Sequence, residues 1–486
     1  MYSTLMKTFL IGFILSNAFK AQCQPIQFDT AFAIHNSLSV LHETSDSALV
    51  CVSYSFNFLD GNPATLNILK FNKENQLVAR TNFSLFNKNF KINEIIEYSV
   101  GYKFFGSIEN ANDMTNSVWI IETDFDLNIT FEKLVSIQEI KFSYYTLDTL
   151  SGHVYISGSS VDETGLPRIA YLIELDEDYN LIRYAYDFLP FPFTYIGDIH
   201  VNSAQELYLY GQAGRVFLVD SLFNVITIID EQADGDIDRL DQQGSMHISE
   251  NGEIILTGRY RTSPISMSEA LLGILKYDSK YEKVNTQIFG RQDTADYAAA
   301  FESIAKNTDD GFYVAATSNV TAILASDEPS WLLLTKFDED LNLIWEKCLG
   351  GDAYYLLFGV EASYDGGCYL YGQKNKFNES DTVEMFFIKV DRDGQFSSVD
   401  YTQSITSNVK IYPNPASNKV FIEGDTNGDL LTVFDTQGKA VHSTYLTGNL
   451  EEISLPYLSA GQYVFNIREN GNIRSNFTQR IMLTGE

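Results

Sequence analysis

One phrase recurs seven times along the 486-residue chain: an apolar run ending near glycine, a variable loop, a second apolar run, an acidic turn and a third run. Its clearest copies are 311–316 followed by 331–337, and 367–372 followed by 385–390. Their turns read Asp338-Glu339-Asp340-Leu341-Asn342 and Asp391-Arg392-Asp393-Gly394-Gln395. Turn positions 72, 124, 176, 220, 278, 338 and 391 are 44 to 60 residues apart. Four short strands with their loops fill such a period, and a repeat of this length builds radially packed sheets with short, protected edges. The expected fold is all-β: a seven-bladed β-propeller over 34–399. A pair of β-sandwiches is the competing architecture, but a sandwich has no reason to repeat one phrase seven times.

The repeats are loosely similar to bacterial propeller repeats. Kelch-like paired glycine stands at Gly366-Gly367 but does not recur in every copy, and the Trp-Asp dipeptide of the WD family is absent. Composition agrees with strands, since 34 Phe and 29 Tyr suit pleated, half-buried surfaces. A formal charge of −31 argues against nucleic acid or an anionic membrane as partner, because the summed field repels phosphates.

The N-terminus reads as an export signal, with Lys7 ahead of an apolar run over 8–15 that is too short to cross a bilayer. No transmembrane span is expected elsewhere. A signal peptide over 1–22 fits, with cleavage near Ser16 and Ala18 or near Ala21 and Gln22. Lys20-Ala21-Gln22 before Cys23 makes a poor lipid-attachment box. In an oxidising space, Cys348 with Cys368 and Cys23 with Cys51 are conceivable bridges, although some 460 mature residues can bury a core without them.

The acidic turns superficially resemble calcium loops. The Glu expected at the twelfth position is replaced by Leu349, Val135 or Asp187, however, and Asp and Asn suit tight turns for their own reasons. Asp234, Asp236 and Asp238 form the densest acidic loop, without a closing Glu; no metal and no cofactor are expected. Zinc-protease, nucleophile-elbow, phosphate-loop and dinucleotide fingerprints are all missing. Segments preceding the clear strands should be innermost, which makes Glu94, Asp198, His200, His247, Glu302 and Glu361 the candidate channel-lining set. Trp119, Trp331 and Trp345 could stack on sugars or peptides, but core packing explains them more economically.

After Val399 the composition changes. A polar linker over 400–408 leads to Tyr412-Pro413-Asn414-Pro415, then Leu458-Ser459-Ala460-Gly461-Gln462-Tyr463, and finally Arg480-Ile481-Met482-Leu483. Residues 409–486 alternate like a small immunoglobulin-like β-sandwich. These motifs, in this order at the C-terminus, resemble the type A C-terminal sorting domain of the type IX (Por) secretion system of Bacteroidota, with Tyr412, Pro413, Asn414, Pro415, Gly461, Tyr463 and Arg480 carrying the likeness. The resemblance implies the secretion machinery as partner, export through the periplasm, and surface attachment or release. It says nothing of the cargo. The leading expectation for the cargo is a non-catalytic propeller that binds an extracellular glycan, peptide or surface protein. A channel enzyme acting on polysaccharide and a structural surface component are the alternatives.

Overall fold

The computed structural model describes residues 32–35 and, but for short stretches, 37–395 and 410–484. The longer stretches outside it are 56–63, 111–115, 162–166, 231–238, 262–270, 321–327, 376–382, 425–429, 435–439 and 469–476, together with 1–31 and 396–409. The expected signal peptide, the linker, Cys23, Asp234, Asp236, Asp238, Asn414 and Pro415 therefore lie outside the described residues. Two compact units hold 35–399 and 400–486.

The first unit is a succession of seven antiparallel sheets: 37–85, 88–136, 142–186, 196–229, 239–289, 297–350 and 354–390. Each of the first six uses strands consecutive in sequence. The second, for example, runs Lys88–Tyr98, Gly101–Asn110, Asn116–Thr123 and Ile129–Ser136. The sixth divides its first strand into Tyr297–Ala298 and Ile304–Lys306, both paired with Phe312–Ser318. Middle strands such as Leu207–Gly211 and Phe312–Ser318 are buried at every position. They are covered on both faces, which is why they read as unbroken apolar runs rather than alternating ones. Fourth strands lie at an edge, and exposed apolar side chains such as Leu134, Ile182 and Ile344 occur there. The recurring phrase thus corresponds to the second, third and fourth strands of a sheet.

The acidic turns before the seventh sheet join third to fourth strands. Asp124 Oδ1 accepts from the Asp126 and Asn128 amides at 2.9 and 2.8 Å, and its Oδ2 from Asn128 Nδ2 at 2.9 Å. Asp176 with Asn180, Asp220 with Asn224, and Asp338 with Asn342 repeat the arrangement. Hydrogen bonds from Asn128 hold the Asp124 carboxyl below the usual range. These aspartates close hairpins, and among the described residues no group of three side chains is placed to hold a metal.

The fourth turn residue has positive φ even where it is bulky: 63° at Leu127, 58° at Tyr179 and 61° at Leu341. That region costs about 1–2 kcal/mol for an L-residue. The side chains are nonetheless buried, each in a core shared with the preceding sheet. Burying a leucine stabilises by about 1.5–3 kcal/mol, enough to offset the strain. Lysines from the preceding sheet grip the same turns: Lys70 Nζ donates to Phe125 O at 3.3 Å, Lys276 to Glu339 O at 3.1 Å and Lys336 to Arg392 O at 3.2 Å. Every turn so placed docks on the sheet before it.

The first strands form a closed circuit, each touching the first strand of the next sheet, with the seventh touching the first. That last seam carries a buried polar network. Glu43 accepts from Ser363 Oγ at 3.0 Å and from the Tyr364 amide at 2.8 Å, and Lys389 Nζ stands 3.8 Å away. Phe71 and Phe387 pack beside it with ring centroids 5.8 Å apart.

Neither conceivable disulfide forms, because Cys51 and Cys368 are both free and buried. Cys348 packs with Leu272, Ala316 and Leu333, whereas Cys368 packs with Leu332, Leu334 and Leu349. Alternate strand positions face opposite sides of a sheet, so the two sulfurs are kept apart. Cys348 alone among the described cysteines is disulfide-bonded.

The second unit pairs Lys410–Tyr412, Lys419–Glu423 and Leu450–Ser454 in one sheet. Ala440–Tyr445, Leu430–Phe434, Gly461–Arg468 and Phe477–Leu483 make the other. Both contribute to one core, with Val420, Ile422, Leu431, Phe465 and Ile481 buried.

Candidate functional site: a carboxyl-lined cavity

Glycines in second strands create the site. In the second sheet Ile92 lies opposite Gly106, and the register shifts between Ile92 and Glu94. In the fourth, Ile196 lies opposite Gly211, with the shift between Ile196 and Asp198. A Cβ at Gly106 would stand 2.0 Å from Lys91 O, so only glycine admits the bulged partner. Bulges re-aim the side chain that follows; here the re-aimed residues are Glu94 and Asp198. Glu302 reaches the same space from the sixth sheet, where it bridges Gly359 of the seventh.

Glu94, Asp198, His200 and Glu302 line one cavity of about 400 Å³, with Asp148, Ser245 and Tyr371 among its other polar walls. Asp198 accepts from the Met246 amide at 2.7 Å and from Thr146 Oγ1 at 3.4 Å. Tyr371 donates to Glu302 at 3.3 Å, and His200 Nδ1 stands 3.2 Å from Asp148.

Crowding carboxyls into a recess disfavours their charge. Burial, then Glu361, push Glu94 up to about 8. Burial moves Asp198 to about 6 against the opposing amides. Glu302 is raised by burial and by Glu361, Glu94 and Asp198.

Two sequence candidates are placed otherwise. Glu361 is not on the cavity wall but pairs with His42 at 3.3 Å, acting on the cavity carboxyls through its charge. Burial works against the His42 charge, yet Glu361 outweighs it and raises this imidazole. His247 does not line the cavity. Its ring packs on Phe312 at 5.3 Å, and burial, then Lys306, lower it to about 4. Sequence reasoning missed His42, Asp148 and Tyr371. The first two sit on first strands, at positions equivalent to chosen residues, and could have been found there. Tyr371, on a second strand of continuous apolar character, carries no such signal.

The tryptophans pack. Trp119 is fully buried and donates to Glu132 at 2.8 Å, Trp331 lies under Arg291, and Trp345 contacts Tyr313. Aromatic surface lies instead in a neighbouring groove lined by Tyr98, Phe125 and Tyr364, together with His42 and Glu97; Ile96 lines both the groove and the cavity. In the second unit Tyr412 stacks on Phe421 at 5.9 Å, Pro413 is exposed, and Tyr463 donates to Ser459 O at 3.0 Å. Gly461 opens a strand, in which Val464 is paired with Arg480.

The raised carboxyls have a signed consequence. Their protonated form is stabilised by folding, so that contribution is present below about pH 4.5 and is lost as pH rises through about 8. Glu94→Gln is therefore expected to flatten the decline in stability across that window and to be more stable than the unaltered chain at pH 8. Urea unfolding at stepped pH measures it, and parallel curves would contradict the assignment.

The family model described as secretion system C-terminal sorting domain matches residues 410–483. No curated protein matches the chain. Among solved structures, PorZ of Porphyromonas gingivalis, described as an essential surface component of the type-IX secretion system, is 11% identical; the match covers 92% of this chain and 75% of that one with TM-score 0.22. A GH43_1 enzyme from Xanthomonas citri is 9% identical over 79% of this chain and 96% of that one, with TM-score 0.34. An acylaminoacyl peptidase from Pyrococcus horikoshii is 13% identical over 81% and 58%, with TM-score 0.39.

Proposed function

We propose that this chain, which ends in a type IX (Por) secretion sorting domain and is therefore routed through the periplasm to the cell surface or beyond, delivers a seven-bladed β-propeller that binds an extracellular ligand in its channel without transforming it. The signal peptide over 1–22 starts the journey. The linker over 400–408 and the immunoglobulin-like sandwich over 409–486 form a removable address, read through Tyr412, Pro413, Gly461, Tyr463 and Arg480. Seven consecutive sheets whose first strands meet in a circuit support the blade reading.

The observation that carries the binding reading is the cavity itself: carboxyls from four different sheets converge on a space within the size range of small-ligand sites. Glycan and peptide arrays probed with the full chain test it. Hits that vanish when Glu94 and Glu302 are both changed to Gln support binding there, and hits indifferent to both changes refute it. A second reading, a channel enzyme acting on polysaccharide, is favoured by one observation: Glu94 near 8 and Asp198 near 6 are poised as acid and base at neutral pH. New reducing ends released from polysaccharide, and lost in Asp198→Asn, would establish it.

A further inference from the structure

We infer that the ligand of the cavity is an organic cation, a primary ammonium or guanidinium group carried on a flexible chain. This rests on the binding reading above and names its chemistry. The charges acting most strongly on Glu302 are Glu361, Glu94 and Asp198, all of them carboxyls. Glu94 points into the cavity and accepts a hydrogen bond from the Ile95 amide, with no side-chain donor among the described residues.

The basic groups packed around the space are already engaged. His42 is paired with Glu361 and His200 with Asp148. Lys306 is bonded to Glu339 at 2.6 Å. Lys91 lies over the Phe301 ring at 4.0 Å, and burial brings it down to about 7, which weakens its compensating charge at neutral pH. The site therefore holds an excess of acid, within a chain whose net charge of −31 draws cations toward it.

A bare metal ion does not fit this arrangement. No three ligating side chains among the described residues come close enough to share one, whereas a cation several ångströms long can touch carboxyls on separate sheets. The adjoining groove supplies a course for the rest of the chain, since Tyr98, Phe125 and Tyr364 offer ring faces suited to methylenes and to cation–π contact. Two of these rings already take cations from within the protein: Lys103 lies 5.0 Å from Tyr98 and Lys70 5.7 Å from Phe125. When the ammonium or guanidinium enters, the carboxylic acids of Glu94 and Glu302 each lose the O–H proton to solvent and form ion pairs; beyond that proton transfer no covalent bond changes.

Isothermal titration calorimetry of the full chain tests this with two probes, spermidine and Nα-acetyl-arginine amide, at pH 6.5 and 8.5 and in buffers of different ionisation heat. The expected result is binding about tenfold tighter at pH 8.5, with proton release, for at least one probe. Glu94→Gln and Glu302→Gln should each weaken it by about tenfold. Spermidine alone binding points to a free polyamine, and the arginine derivative alone to a basic side chain of a polypeptide. Absence of heat from both probes at roughly 10 mM, or an affinity indifferent to pH, overturns the inference; the pH comparison uses the unaltered chain and so survives any misfolding of the variants. A neutral oligosaccharide whose binding is lost in Glu94→Gln also overturns it, while leaving the binding reading intact.

Discussion

A single methyl group added at position 106 is expected to cost the first unit about 3 kcal/mol or more, the range reserved for overpacked or strained sites. The Cβ of Gly106→Ala would stand 2.0 Å from Lys91 O and 2.7 Å from Ile92 Cδ1. The terminal Cδ1 of Ile92 can rotate away, but the carbonyl cannot, because it belongs to a strand paired along its length with Gly101–Asn110. Relief requires undoing the bulge, and a one-residue slip turns every following side chain to the other face. The variant should therefore lose both stability and the high-pH titration of Glu94. Urea unfolding beside Gly448→Ala, where the added Cβ would meet nothing within 4 Å, checks the first part; the control should change by no more than about 0.5 kcal/mol. Equal midpoints for the two variants would refute the account.

Glu43→Ala is the second large effect. Glu43 is only 4% exposed and joins residues 320 positions apart in sequence through Ser363. Removing it leaves the Tyr364 amide without its acceptor and deprives Lys389 of a buried partner, although Lys389 keeps Asp365 at 3.0 Å. Breaking a buried pair from one side costs about 3–5 kcal/mol, because the remaining charge stays desolvated. Glu43→Gln retains an acceptor oxygen and should cost less. Denaturant unfolding measures both, and a loss under about 1 kcal/mol for Glu43→Ala would show the seam to be held by other contacts, such as Phe71 against Phe387.

These two sites show what the chain's letters reveal and conceal. The turns were legible because an Asp that bonds its own backbone and an Asn four places later form a local device, complete within five residues, as at Asp338 and Asn342. Middle strands were legible as apolar runs. First strands were not, because bulges such as that between Ile92 and Glu94 break the alternation by which a strand is recognised. Four of the six chosen polar residues nevertheless line the cavity, since their place in the repeat could be counted from its clearer parts. Glu43 passed unnoticed, its partners being at the far end of the sequence. The clamp lysines were readable in hindsight: Lys70, Lys276 and Lys336 each stand two positions before an acidic or amide turn. The cysteines misled because nearness in the repeat says nothing about which side of a sheet a thiol occupies.

The docking of each turn on the sheet before it bears on how such a molecule comes into being. Leu127 finishes the core of the sheet made earlier, and Leu341 does the same further along. A chain emerging N-terminus first thus always has one unfinished wall, sealed only when the following segment arrives, and the seam at Glu43 waits for the last of them. Maturation is then a zipper with its fastener at the end: a polypeptide halted midway exposes a raw apolar flank that the next sheet would have covered.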